Sequence, residues 1–117
     1  MKQFAQTILL KDDPAVIAAY EAHHAAIWPE VAQGLREIGI ERMVIWRSGR
    51  RLFMLMETVD GFDPARDFSR YEAGHPRRQE WQRLMESFQE PVPEAKPGEW
   101  WAAMDEVFRL KASAPHD

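Results

Sequence analysis

Residues Leu52-Phe53-Met54-Leu55-Met56 form an unbroken run of five apolar side chains. The segment before it, Met43-Val44-Ile45-Trp46, is equally rich in strand formers, and Ser48-Gly49 between the two marks a tight turn. Together they read as a β-hairpin. Successive side chains of a strand point to opposite faces of the sheet. A strand without polar alternation therefore needs cover on both faces. The chain has 117 residues, enough for one hydrophobic core and too few for two. Its own helices can cover one face. The other calls for a second copy of the chain, so a homodimer is expected.

The remaining elements follow from periodicity and punctuation. Phe4 to Leu10 reads as a first strand. Asp12-Asp13-Pro14 then combines acidic caps with a first-turn proline, a helix start. Ile17, Tyr20, His24, Ile27, Val31, Leu35 and Ile38 recur at spacings of three and four, the stripe of an amphipathic helix. Pro29 falls inside that stripe. It lacks a backbone donor and clashes with the carbonyl four residues earlier, so the helix is expected to break into two pieces there. Gly39 supplies the C-terminal stop.

Asp63-Pro64 opens a further helical region, Gly74-His75-Pro76 interrupts it, and Trp81, Leu84, Met85 and Phe88 form a second apolar stripe. Pro91 to Gly98 is a proline-rich ordered loop or lid. Trp100 to Leu110 reads as the last strand, within a single domain spanning 1–111, and residues 112–117 read as a frayed tail. The order strand, helix, strand, strand, helix, strand is the α+β ferredoxin-like βαββαβ pattern. Two such sheets packed face to face make a dimeric α/β barrel.

Composition excludes several function classes. The net charge is -4, from 15 basic and 19 acidic residues, which leaves no cationic excess for nucleic acid. There is no cysteine, hence no thiolate chemistry or disulfide framework. No apolar stretch reaches the length of a signal peptide or membrane span, and a cytoplasmic protein is expected. The four histidines, at 23, 24, 75 and 116, lack metal-ligand spacing, and no cofactor motif is present.

One segment can carry chemistry. On a helix, Tyr20, His24 and Trp28 stack four residues apart along one inward face. His23, about 100° away at ~3.6 residues per turn, leans towards solvent. An inward imidazole is more often a structural histidine than a proton carrier, and the residues alone leave both readings open. Five tryptophans are many for so short a chain. They serve as core or as platforms for the apolar face of a sugar ring.

The pattern Tyr20-x-x-x-His24-x-x-Ile27-Trp28-Pro29-Glu30 resembles the signature of the L-rhamnose mutarotase family. The resemblance continues through Gly39, Leu52-Phe53, Glu57, Trp81 and Glu106-Val107-Phe108-x-Leu110. It implies a dimeric α/β barrel that interconverts the α and β anomers of a 6-deoxy-L-hexose without metal or cofactor. The family's catalytic histidine falls on His24 and its sugar-contacting tyrosine on Tyr20. The family's second-strand tyrosine is Met43 here, and its paired tryptophans read Glu80-Trp81. Trp46 and Trp101 complete the candidate sugar contacts with Trp28. The segment Gly49 to Thr58 is similar to mutarotases associated with L-fucose. Two alternatives share this fold or ligand class: a haem-degrading or cofactor-free monooxygenase, and a non-enzymatic sugar-sensing dimer.

Overall fold

A computed structural model describes residues 1–112 of the chain. The elements run β1 (Lys2–Leu10), α1 (Pro14–Ala25), α2 (Pro29–Glu37), β2 (Ile40–Ser48), β3 (Arg51–Thr58), α3 (Pro64–Ala73), α4 (Pro76–Phe88), β4 (Gln89–Glu90) and β5 (Ala102–Ala103). Three helices start in the same way. Asp13, Asp63 and His75 each accept a hydrogen bond from the amide two residues on, followed by a proline in the first turn. That side chain satisfies one of the helix's orphan amides, and proline forfeits a donor the first turn does not need.

The break expected at Pro29 is present. α1 ends at Ala25, and α2 begins at Pro29. Trp28 sits at φ -65°, ψ 133°, in the extended region to which a residue before proline is confined. Gly39, at φ 101°, turns the chain from α2 into β2 through a conformation that L side chains rarely adopt.

The sheet is antiparallel, in the order β2-β3-β1-β4, with β5 also pairing with β1. This is the ferredoxin-like arrangement. Register places Gln6 opposite Met54 and Met54 opposite Ile45, all on one face. The helices pack on that face. Ile8, Leu10, Leu52, Met56, Val31 and Phe62 are each at most 1% exposed in the core between the layers.

The opposite face carries Ala5, Thr7, Val44, Trp46, Phe53 and Leu55. Trp46 stacks on Phe53 with ring centroids 5.5 Å apart, and it is 49% exposed.

The last strand is much shorter than the sequence suggests. Of Trp100 to Leu110, only Ala102–Ala103 form a strand, opposite Thr7 and Gln6. Met104 still donates to the Ala5 carbonyl. Beyond it Asp105 and Glu106 lead into an irregular segment in which Val107, Phe108 and Leu110 are exposed. The β propensity of that segment has no neighbouring strand to satisfy it. The edge position is shared instead by β4 and β5, separated by the proline-rich loop. The expected tail falls almost wholly on residues 113–117, outside the described residues.

Arg78 clasps the helix layer. It is 8% exposed. Its Nε donates to the Glu30 carbonyl at 2.9 Å, its Nη1 to the Tyr71 carbonyl at 3.3 Å, and its Nη2 lies 3.5 Å from Glu37. One side chain thus joins α2, α3 and α4. Gly34 of α2 makes room for it: an added Cβ would lie 2.8 Å from Tyr71 Cδ1 and closer still to the guanidinium. Helix propensity alone favours Gly34→Ala by roughly 0.5–1 kcal/mol. Overpacking against a locked guanidinium costs about 1–3 kcal/mol and should win. Urea unfolding of G34A is expected to give a net loss of stability; a gain would show that the clasp is slack.

Candidate active site

All four helices and the inner sheet face line an open cavity of about 330 Å³, at the lower end of the range for small-molecule sites. Gln6, Met43, Ile45 and Met54 form its floor. Tyr20 and His24 of α1, Phe68 and Tyr71 of α3, and Trp81, Gln82 and Met85 of α4 form its walls, with Gln89 and Trp101 at the sheet edge. A more open recess shares His24, Leu35, Met43 and Ile45 with it and continues to Arg36 and Arg42.

His24 occupies the last turn of α1, just before the break. Its Nδ1 lies 2.9 Å from the Tyr20 carbonyl. A carbonyl only accepts, so in the neutral ring Nδ1 carries the proton and Nε2 keeps its lone pair. The imidazole stacks against the Tyr20 ring at 4.2 Å and meets Trp81 edge-to-face at 5.4 Å. Burial pushes its pKa below the ordinary value. The hydrogen bond to the Tyr20 carbonyl partly offsets this, and neighbouring His23 adds to the lowering. The ring is therefore neutral near pH 7.

The two tyrosines are tuned the other way. Burial pushes the Tyr20 phenol up to about 12, against a smaller lowering from Gln89. Gln89 Oε1 also accepts from Trp100 Nε1 at 2.8 Å. Tyr71 is likewise raised to about 12 by burial, with Arg78 opposing. The cavity thus holds one neutral base and two phenols that keep their protons, a set suited to proton transfer by the imidazole and hydrogen-bond donation by the phenols.

Of the residues singled out from sequence, Tyr20, His24, Met43, Trp81 and Trp101 meet around this cavity, and three do not. Trp28 lies behind Trp81, edge-to-face at 5.1 Å, with the Arg77 guanidinium 3.6 Å from its own ring centroid. The helix break swings it out of line with Tyr20 and His24. Trp46 alternates with Ile45 along β2 and so projects from the opposite face of the sheet. Glu80 is exposed and paired with Arg77 at 3.2 Å. His23 is not turned to solvent either. Its Nδ1 bonds the Ala19 carbonyl, and its ring packs near Phe88 and Trp81. Residues 91–98 do not line the cavity, and Val92 anchors that loop at 3% exposure.

Sequence reading missed Gln6, Phe68, Tyr71 and Gln89. Strand parity with Phe4 and Ile8 places Gln6 inward, and the spacing of Phe68 and Tyr71 marks one helix face. Nothing local marks Gln89, whose place depends on β4 pairing with β1. Among the described residues no group of three acidic or histidine side chains converges as metal ligands.

The sequence model described as L-rhamnose mutarotase matches residues 3–110. The chain is 42% identical over 112 residues to an L-fucose mutarotase of Xanthomonas campestris pv. campestris, covering 94% of this chain and 89% of that protein. It is 40% identical over 112 residues to a UPF0734 protein of Dictyostelium discoideum, covering 93% and 90%. Among solved structures, an L-rhamnose mutarotase from Formosa agariphila superimposes with a TM-score of 0.67 at 18% identity, covering 95% of this chain and all of that one. A tetracenomycin F2 cyclase from Streptomyces glaucescens does so at 0.56 and 20%, covering 97% and all of that chain. At such identities these two similarities speak for the fold alone.

The geometry at His24 fixes a titration. In ¹⁵N NMR the neutral ring should carry its proton on Nδ1, with a midpoint below the unperturbed ~6.5. A midpoint at or above that value would contradict the assigned environment. Because the folded pKa is the lower one, the unfolded chain takes up the proton first. This histidine's contribution to stability is thus lost as pH falls below about 6.5.

Proposed function

The chain belongs to the L-rhamnose mutarotase family, and from that premise we propose that it interconverts the α and β anomers of a 6-deoxy-L-hexose, with His24 as the proton carrier. The observation that carries this reading is the His24 imidazole on the wall of a sugar-sized cavity, with Nδ1 held by the Tyr20 carbonyl and Nε2 without a hydrogen-bond partner among the described residues.

Mutarotation moves one proton between two oxygens of the same carbon. Nε2 accepts the proton of the anomeric hydroxyl. The bond from C1 to the ring oxygen breaks, C1 becomes an aldehyde carbon, and the imidazolium delivers the proton to the former ring oxygen. Half a turn about the C1–C2 bond exposes the other carbonyl face. The same steps in reverse close the ring as the opposite anomer and return Nε2 to its starting state. A single positioned acid–base group contributes about 10²–10⁴-fold.

Phenols near 12 are poor proton donors to this cycle. Passing a proton from either tyrosine, raised to about 12, to an imidazole lowered by burial is steeply uphill. Tyr20 serves instead as a hydrogen-bond donor to a sugar hydroxyl. Trp81 offers an aromatic surface to the ring carbons. The apolar floor of Met43, Ile45 and Met54 suits the C6 methyl group. A hydroxymethyl group set against those three side chains would find no strong hydrogen-bonding group in them. The similarity to an L-fucose mutarotase favours L-fucose over L-rhamnose as the better substrate.

A homodimer is part of the proposal. The sheet face away from the helices, with Trp46 and Phe53, and the exposed Val107, Phe108 and Leu110 are apolar surface that a second copy would cover. Sedimentation should give twice the 13.7 kDa chain mass; a single-chain mass at micromolar concentration would count against it.

Saturation-transfer NMR on equilibrated L-fucose and L-rhamnose tests the activity directly. The protein should accelerate anomer exchange, and His24→Ala should lose about 10²-fold or more. Exchange of both sugars at the buffer rate would refute the mutarotase reading. Full activity in H24A would refute the residue assignment while leaving the activity intact.

A further inference from the structure

Tyr71 stands out among the cavity residues because no role described so far uses it. It lies on α3, across the cavity from the sheet, and is 5% exposed. Its ring is held before any ligand arrives. The Arg78 guanidinium lies 5.3 Å from its centroid, and Phe68 meets it edge-to-face at 6.4 Å. The Tyr71 carbonyl accepts from Arg78, which fixes the backbone of the last turn of α3. Its phenol hydroxyl makes no hydrogen bond to the described residues. Nor is it sealed from solvent: the Glu30 carboxylate is the site of the buried, unpartnered side-chain oxygen among them. A preorganised phenol with a free donor facing a cavity is poised to bind a polar ligand group.

On the floor of the same cavity the polar side chain is the Gln6 amide, and no phenol stands there. Met43 lines it where the resemblance to the mutarotases places a tyrosine, and a thioether donates no hydrogen bond. We propose that Tyr71 contacts the sugar in this protein, donating from the helix layer the hydrogen bond that position 43 cannot donate from the sheet. The inference rests on the mutarotase reading of the cavity. The acceptor is a ring hydroxyl of a neutral pyranose. Burial, which keeps the phenol protonated through the neutral range, ensures that the donor is present. Tyr71 is on this reading a substrate-binding residue, and its donor and one at position 43 can substitute for each other.

Tyr71→Phe removes only the hydroxyl and keeps the ring, its packing and the carbonyl that Arg78 needs. Anomer-exchange kinetics of wild type, Y71F and the double variant M43Y/Y71F decide the matter, with Tm measured alongside. Wild type must accelerate exchange; if it does not, the mutarotase reading fails and not this inference alone. Given that activity, Y71F should lose about 3- to 10-fold in kcat/KM, as expected for one hydrogen bond to a neutral hydroxyl. The loss should be carried by KM, with Tm unchanged, and M43Y/Y71F should recover most of it. A change under 1.5-fold for both sugars, a loss that tracks a falling Tm, or a loss that Met43→Tyr does not restore would each return Tyr71 to plain packing and overturn the proposal.

Discussion

Proline at position 29 has no amide hydrogen to give the carbonyl four residues back, and it holds Trp28 in extended backbone. A helix on the sequence stripe from Ile17 to Ile38 cannot run through. α1 therefore stops at Ala25, leaving His24 in its final turn. The consequences reach through the whole site. The histidine stands at the rim of an opening and not inside a packed layer. α2 departs in a new direction, where Arg78 ties it to α3 and α4 through the Glu30 and Tyr71 carbonyls. Trp28, which an unbroken helix would stack beneath His24, moves behind Trp81 and becomes a support for it.

Burial then sorts the titratable groups by chemistry. It disfavours the charged form of every group, and so lowers an imidazole and raises a phenol. The same cavity keeps His24 unprotonated and Tyr20 and Tyr71 protonated. No metal or second catalytic charge is needed to make this set. Aromatic edges from Trp81 and the stacked Tyr20 ring restrict the imidazole. The Tyr20 carbonyl fixes its tautomer from the same helix. A residue of α1 thus both orients the base and, in the proposed reaction, holds the sugar.

Much of this was legible in the sequence, and the misses share a physical cause. Helix starts at Asp13 and Asp63, the break at Pro29, the hairpin around Gly49 and the inward face of Tyr20 and His24 all depend on local rules. Each is written within a few residues. Trp46 was misplaced because a strand of apolar residues gives no parity signal: Ile45 and Trp46 look alike until the partner strand sets which faces the helices. The last strand was overdrawn because β propensity from Trp100 to Leu110 does not say how much of it finds an edge; β1 offers only Thr7 and Gln6. Gln89 and Tyr71 enter the cavity through long-range packing. The spacing of Phe68 and Tyr71 could have flagged an inward face, but not what that face would meet.

Fold alone does not decide the chemistry, since a βαββαβ sheet serves many reactions. The central claim is narrower: one neutral imidazole, lowered by burial, carries the proton. The pH dependence of kcat/KM for anomer exchange, corrected for the buffer-catalysed rate, tests it most directly. The account predicts a rise of slope one with pH that breaks below ~6.5. A plateau should follow through pH 8, because the phenols near 12 do not ionise in that range. A break above 6.5, or a rise that continues through neutrality, would contradict it.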